Sequence, residues 1–308
     1  MDSGVVNFPK VSVICTSYNH QDYVLEALNS VMSQTYPNIE LIVVDDNSSD
    51  KSANRILQFQ ARNPETLVIL NDKTLGICKS FNKGFRNSSG AYLIDLAADD
   101  ILHNDRIEKG VQSLENLGKP FGVNFCDCEI IDQASETLGY QYKGKINYNK
   151  VPQGEVFASL LSRHWISSPT LLFKREVIEK LRGYDETLSF EDFDFWVRSS
   201  RYYHYSFTPE VLVTKRKLHD SLSSVQYQLH NSHIRSIIYV CKKAVVLVRE
   251  KRERKALQKR IVIEMRRAIK THNIREAKAF LQLLRSTGSF FRFWGYHFLV
   301  SSFRSMLR

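Results

Sequence analysis

The chain has 308 residues, of which 43% are hydrophobic and 25% are charged. This composition indicates a globular protein with one large domain or two small ones, and it argues against intrinsic disorder. The net charge of +10 is unevenly distributed, because residues 225–308 contain 19 Lys and Arg against 4 Asp and Glu, whereas residues 1–224 contain 24 against 29. A mildly acidic body therefore precedes a strongly basic C-terminal segment.

Short β-branched runs alternate with helix-like stretches over the N-terminal part of the chain, which predicts a parallel βαβ sheet. The expected strands are 11–16, 39–44, 67–70, 92–97 and 121–125. Apolar residues at helical spacing predict a crossover helix after the first strand, with one face formed by Val24, Leu25, Leu28, Val31 and Met32. We therefore predict an α/β fold in which a mostly parallel central sheet is flanked by helices.

Polar side chains follow three of the predicted strands at their carboxyl ends: Thr16–Asn19, Asp45–Ser48 and Asp99–Asp100. In open parallel sheets, ligands bind outside these ends at a switch point in strand order. Carboxylates grouped at one edge repel one another unless a cation lies among them, so the pattern favours a divalent ion bound by oxygen atoms. Each group alone is more typical of turns and helix caps than of a ligand site, but three groups in this order favour a ligand site.

The C-terminal segment is predicted to form several helices, with one apolar stripe at Ile234, Ile237, Ile238, Cys241 and Val245 and another at Ile261, Met265, Ala268 and Ile269. No apolar run is long enough to span a bilayer, and the longest candidate, Phe290 to Phe303, is interrupted by Arg292. The scattered cysteines and the lack of a signal-peptide pattern favour the cytoplasm. We expect this basic segment to lie peripherally on the anionic inner face of a membrane, with a solvated helical subdomain or an oligomer surface as the alternative.

A series of short motifs runs through most of the chain. They are Val11–Asn19, Glu40–Asp50, Gly76–Asn82, Gly84–Gly90, Ala97–Asp100, Ser168–Thr170, Gly183–Glu186, Glu191–Asp192 with Trp196, and His219 followed by Ser223. Together they resemble the family 2 glycosyltransferases of the GT-A fold, over about residues 9–224. The resemblance implies a GT-A domain over 1–224, with a nucleotide-sugar half at about 9–127 and an acceptor half at about 128–224, followed by a basic helical extension over 225–308.

The resemblance also implies how a nucleotide is bound. Thr16, Tyr18 and Asp46 match positions that hold the base and the ribose, where a phenol ring packs beside a base and a carboxylate accepts hydrogen bonds. Gly76 matches a loop whose backbone passes close to the nucleotide, although a simple turn or helix cap is an equal reading of this glycine. Asn19 belongs to the same candidate nucleotide-binding set.

Asp99 and Asp100 match the acidic motif that binds the diphosphate and the metal ion. His219 resembles a third contact to the metal ion or the diphosphate, since neutral imidazole is a competent ligand. The first acidic position of the fuller motif is Ala97 in this sequence. The implied cofactor is therefore Mn²⁺ or Mg²⁺, held by Asp99, Asp100 and His219.

By the same resemblance, Asp192 is the general base, and Glu191 orients the base or contacts the acceptor. An inverting transfer needs a base because the acceptor hydroxyl loses its proton as it attacks the anomeric carbon. The alternative is that these two carboxylates are favourably placed negative charges at the N-terminus of an aromatic helix.

The predicted function is an inverting, metal-dependent hexosyltransferase that uses a nucleotide-diphosphate sugar, with a UDP-sugar favoured. The expected acceptor is a saccharide or a lipid-linked saccharide in bacterial cell-surface polysaccharide or glycolipid synthesis. One alternative is a catalytically silent protein that binds a nucleotide sugar, which would account for Ala97 at the first acidic position of the motif. A polyanion-binding protein would account for the basic segment but not for the acidic strand ends, and nucleic acid is not an expected partner.

Overall fold

The computed structural model describes residues 8–219, 228 and 231–288. The chain divides into two compact units. The first unit contains the described residues up to Glu155 together with Ile166–Glu186 and Tyr202–Leu218, and the second contains Val156–Trp165, Thr187–Arg201 and the described residues from His219 onward. This division differs from the boundary predicted at residue 224, because two short internal segments group with the C-terminal helices.

The first unit is built on one nine-stranded sheet, ordered β3-β2-β1-β4-β8-β6-β9-β5, with β7 paired to β6. The strands are β1 Val11–Ser17, β2 Ile39–Asp45, β3 Leu67–Leu70, β4 Tyr92–Ala97, β5 Ile101–Leu102, β6 Phe121–Ile131, β7 Thr137–Tyr140, β8 Leu172–Lys174 and β9 His204–Arg216. Strands β1 to β4 pair in parallel, as predicted, whereas β8 runs antiparallel to both β4 and β6. The sheet is therefore parallel over its N-terminal strands and mixed beyond them.

Helices follow most of the strands. They are α1 Val24–Met32, α2 Ser52–Arg62, α3 Ile77–Arg86, α4 Arg106–Leu117, α5 Phe157–Ser162, α6 Arg175–Leu181, α7 Asp192–Ser199, α8 Ser232–Leu247, α9 Lys251–Lys270 and α10 Ile274–Ser286. In α1 the residues Val24, Leu28 and Val31 are buried, as the periodicity predicts, but Met32 is 46% exposed because the helix ends there. This face packs into a core formed with β1, β2 and β4.

The second unit combines α5 and α7 with the three C-terminal helices α8, α9 and α10. The predicted stripe on α8 is buried at Ile234, Ile237, Ile238 and Cys241, and that on α9 at Ile261, Met265 and Ala268. None of the helices within the described residues combines the length and the apolar character needed to cross a membrane. The predicted interfacial stretch Phe290 to Phe303 and the predicted Ser223 lie outside the described residues.

Candidate functional site

Three polar strand ends meet at one edge of the sheet in the first unit. Strand β1 lies between β2 and β4, and Thr16 is opposite Val44 on one side and Ala97 on the other. The chain beyond the strands keeps this alignment, because the Asp46 N–H donates to the Ser17 carbonyl and the Ala98 N–H to the Thr16 carbonyl. The strand order changes direction at β1, which is where open α/β sheets bind ligands.

Two hydroxyl groups at the end of β1 are buried. Thr16 Oγ1 and Ser17 Oγ have no hydrogen-bond partner within the described residues. A buried hydroxyl without a partner destabilises the protein by about 1–3 kcal/mol. The end of β1 therefore offers polar atoms that a bound ligand would satisfy.

Asp46 organises the loop that precedes α3. Its carboxylate accepts hydrogen bonds from Asn71 Nδ2 at 2.9 Å and from the backbone N–H groups of Leu75 and Gly76, both at 2.8 Å. Gly76 has φ of +90°, a conformation that residues with a Cβ rarely adopt, and it caps α3 at its N-terminus. The structure thus places Asp46 and Gly76 side by side, with the carboxylate holding the glycine loop.

Asn19 joins the loops that follow β1 and β2. Its backbone N–H donates to Ser48 Oγ at 2.9 Å, and its side-chain Oδ1 accepts from the Ser49 N–H at 2.8 Å. Ser48 in turn donates to Asp45 through both its N–H and its hydroxyl. Tyr18, the residue before Asn19, is 49% exposed. Asn19 therefore shapes this edge through contacts within the protein, whereas the Tyr18 ring faces solvent.

The acidic pair follows β4. Asp100 is buried and accepts a hydrogen bond from the Arg216 N–H at 2.9 Å, whereas Asp99 is only partly buried. Burial and then the charge of Asp99 raise the pKa of Asp100 well above its usual range, against the opposing effect of Lys215 and Arg216. Repulsion between two adjacent carboxylates falls when a cation binds between them.

The donor set at this edge fits a divalent cation that is held jointly by protein and ligand. Within the described residues, no group of three or more His, Cys, Asp or Glu side chains is arranged to hold a metal ion. Mg²⁺ typically uses one or two carboxylates, with substrate phosphates and water completing its shell. Asp99 and Asp100 supply such carboxylates, and His219, the third predicted ligand, is an exposed residue of the second unit.

Sequence reasoning missed a polar contact between β4 and a later motif. The Tyr184 hydroxyl donates to Asp95 Oδ2 at 3.0 Å, and burial raises the pKa of Asp95 to about 7. Asn82 of α3 brackets the backbone of Tyr184, accepting from its N–H at 2.8 Å and donating to its carbonyl at 2.9 Å. A Cβ on Gly183 would lie 2.7 Å from Asn82 Oδ1. The Gly183-Tyr184 motif therefore links α3 to β4, through Asn82 on the helix and Asp95 on the strand.

The two candidate catalytic carboxylates lie in the second unit, at the start of α7. Glu191 is the N-cap residue and Asp192 is the first helical residue, and both are partly buried. Asp192 Oδ1 accepts a hydrogen bond from the Phe193 N–H. Negative charge is favourable at this end of a helix because of the helix dipole. The predicted helix start is confirmed here.

Comparison with known sequences decides the family. The sequence model described as Glycosyl transferase family 2 matches residues 12–182, which is more than half of the chain. This chain belongs to glycosyltransferase family 2. The predicted family is therefore confirmed.

Named relatives of this family 2 glycosyltransferase include two uncharacterized bacterial proteins. An uncharacterized glycosyltransferase of Rickettsia typhi is 32% identical over 214 residues, covering 69% of this chain and 65% of the relative. An uncharacterized glycosyltransferase of Haemophilus influenzae is 31% identical over 224 residues, and the match covers 72% of this chain and 69% of the relative. The chain thus spans just under two thirds of the length of the Rickettsia typhi protein.

Solved structures of glycosyltransferases share the fold. Staphylococcus aureus TarS in complex with UDP-GlcNAc has a TM-score of 0.66 at 17% identity, covering 89% of this chain and 81% of that chain. The mannosyltransferase PcManGT from Pyrobaculum calidifontis in complex with GDP-Man and Mn²⁺ has a TM-score of 0.59 at 16% identity, covering 92% and 76%. The predicted GT-A fold of this family 2 glycosyltransferase is confirmed.

Proposed function

We propose that this family 2 glycosyltransferase moves a sugar from a nucleotide-diphosphate donor, a UDP-sugar in particular, to an acceptor hydroxyl with inversion at the anomeric carbon. The observation that carries the proposal is the edge at β1, β2 and β4, where buried hydroxyls and an acidic pair lie at a switch point in strand order. The UDP-GlcNAc complex of the similar TarS structure supports a uridine donor.

The donor is assigned to the first unit. Thr16 and Tyr18 provide a hydroxyl and an exposed ring for the nucleotide, and Asp46 presents the Gly76 loop to it. Asp99 and Asp100 would hold Mn²⁺ or Mg²⁺ together with the diphosphate. When bound, this cation neutralises the negative charge that develops on the leaving diphosphate.

Asp192 is assigned the general base and Glu191 its orienting partner. The Asp192 carboxylate takes the proton of the acceptor hydroxyl as the hydroxyl oxygen bonds to the anomeric carbon. The bond from that carbon to the diphosphate oxygen breaks on the opposite face, and the oxygen keeps the electron pair. One displacement therefore inverts the anomeric configuration and releases a nucleoside diphosphate.

A panel of nucleotide sugars with Mn²⁺ or Mg²⁺ tests this reaction by the nucleoside diphosphate that is released. We expect one of the nucleotide sugars to release its nucleoside diphosphate, and we expect EDTA to abolish this release. Asp192→Asn should lower kcat by about a hundredfold or more with donor affinity unchanged, whereas Asp99→Asn should weaken donor binding. The matched control is Glu65→Gln, an exposed position that should behave as wild type.

Donor binding without release in the presence of acceptor extract would contradict the reaction and favour a silent binding protein. For the acceptor, we propose a saccharide or lipid-linked saccharide of the bacterial cell surface.

An anionic membrane surface is proposed as a further partner, through α9. The exposed charged residues of this helix are all basic, because its two acidic residues, Glu253 and Glu264, are buried. The exposed basic residues are Lys251, Arg252, Arg254, Lys255, Lys259, Arg266, Arg267 and Lys270. Each Lys or Arg close to an anionic lipid surface contributes about 1 kcal/mol.

Flotation with lipid vesicles tests the membrane proposal. The protein should float with vesicles that contain phosphatidylglycerol, less so in high salt, and not with neutral vesicles. Replacing Lys255 and Lys259 by Gln should lower the partition coefficient about tenfold or more, whereas Gln at the exposed Lys119 and Lys150 should leave it unchanged. Failure to float in low salt, or equal binding to any polyanion, would overturn the proposal.

A further inference from the structure

Helix α7 carries the proposed base at its first residue, and the helix is held by the C-terminal helices of its own unit. The match to the family model ends at residue 182, so neither α7 nor these helices belong to the matched region. From the sequence alone, residues 225–308 are expected to form a separate basic extension. Two of the C-terminal helices, α8 and α9, nevertheless contact the helix that carries the proposed base.

Arg260 of α9 reaches the residue next to the proposed base. Its guanidinium lies 4.9 Å from the ring centroid of Phe193, and the side chain is buried, with 3% of its surface exposed. Its Nε donates to the Leu161 carbonyl at 3.1 Å and its Nη1 to Glu264 at 2.9 Å. One planar cation thus links α9, the end of α5 and the first turn of α7.

Phe193 also lies close to an aromatic ring, that of His164. The His164 ring lies 4.8 Å from Phe193 and 5.5 Å from Trp196, measured between ring centroids. Burial lowers the pKa of His164 well below its usual range, and the charges of Arg260 and Arg267 act in the same direction. The imidazole therefore stays neutral, and the positive charge beside Phe193 is that of Arg260.

Two ion pairs connect the rest of α7 to the same helices. Asp194 is buried and accepts from Lys243 of α8 at 2.7 Å, as well as from Arg198 at 2.6 Å. Arg201, just after α7, donates to Glu253 of α9 at 2.6 Å. Residues 193, 194 and 201 are therefore each fixed by a side chain from α8 or α9.

We propose that Arg260 is a positioning residue for the sugar transfer, which fixes Phe193 and through it the placement of Asp192. This inference rests on the proposed function, in which Asp192 is the base. A displacement of about 1 Å in a reacting group lowers a rate about a hundredfold. Stability alone does not account for a buried cation here, since apolar residues of similar volume often replace buried ion pairs without loss, and Arg260 Nη2 lacks a hydrogen-bond partner among the described residues.

The test compares Arg260→Met with Arg275→Met, an exposed position on α10 of the same unit. Arg260→Met should lower kcat by about tenfold to a hundredfold while the KM for the donor changes by less than about twofold. Arg260→Lys should recover part of kcat, because a single ammonium keeps the charge but not the planar fork. Amide hydrogen exchange of α7 should become faster in Arg260→Met and stay unchanged in Arg275→Met.

Unchanged kcat or unchanged exchange of α7 in Arg260→Met would overturn the inference. So would a loss of activity that follows only the loss of folded protein. If Arg260→Met does not fold, the double variant Arg260→Met with Glu264→Gln, which leaves no unpaired carboxylate, replaces it in both measurements. A wild-type enzyme that transfers no sugar from any donor would instead contradict the proposed function, and α7 exchange would then decide alone whether Arg260 holds this helix.

Discussion

Asp46 illustrates how one side chain can order a loop of the candidate site. Its two carboxylate oxygens accept from Asn71 and from consecutive backbone N–H groups at Leu75 and Gly76. In an asparagine side chain, an NH₂ group replaces one of these oxygens. That NH₂ group would face at least one of the N–H donors and could not accept its hydrogen bond. The loop before α3 therefore depends on a carboxylate and not only on a polar group of the same size.

Asp46→Asn should accordingly weaken UDP binding about tenfold and lower the free energy of unfolding by about 1–3 kcal/mol, the usual effect of leaving a buried donor unpaired. Calorimetric titration with UDP and chemical denaturation measure the two effects. Asp72→Asn, an exposed position in the same loop, is the matched control. Wild-type UDP affinity in Asp46→Asn would show that the loop does not depend on this carboxylate.

The position of a site residue was easier to predict than its partners. Thr16, Asp46 and Asp99 follow predicted strands, so their common edge could be read from the sequence. The atoms that Asp46 and Asn19 contact lie on loops about 25–30 residues away along the chain, and no local pattern predicts such pairings. The same holds for Asp95, whose partner Tyr184 is a residue of a much later motif.

At the scale of elements, the N-terminal strands were predicted almost to the residue because each is a short and mostly apolar run. Strand β6 was predicted to end at Phe125 but continues to Ile131, and it pairs along its length with β9, which lies some 80 residues later. Strands β8 and β9 were not predicted at all. Their assignment depends on long-range pairing, which periodicity within a short window does not record.

Helix α7 is a short aromatic segment whose helical structure could be predicted from the sequence, whereas its contacts with other helices could not. Its start at Asp192 was predicted from the carboxylates, and Phe193, Phe195 and Trp196 are all buried. The apolar residues Phe193, Phe195, Trp196 and Val197 cover more than one face of the helix, which indicates burial on several sides. The sequence did not reveal that Lys243, Glu253 and Arg260, all in the basic segment, supply its polar contacts.

At the scale of the whole molecule, buried carboxyl groups make stability depend on pH. Burial raises the pKa of Asp95 to about 7 in the folded protein, whereas an unfolded Asp titrates near about 3.9. The folded state therefore binds more protons between these values. The stabilisation that results is complete below about pH 3.9 and is lost as the pH rises through about 7.

The free energy of unfolding should thus fall as the pH rises from 5 to 8, by at most about 1.4 kcal/mol per pH unit for one group. Asp95→Asn should flatten this dependence. Urea denaturation followed by circular dichroism, in EDTA and without nucleotide, gives both curves. Parallel curves for wild type and variant would contradict the raised pKa.

The division into compact units also bears on how such enzymes can be recombined. The chain passes from one unit to the other five times within the described residues, so no contiguous stretch of the gene encodes the whole of either unit. A crossover at any single point between two relatives would therefore split at least one of the two units. A chimera that exchanges donor specificity must instead graft three separate stretches of the first unit and leave Val156–Trp165 and Thr187–Arg201 with their original C-terminal helices.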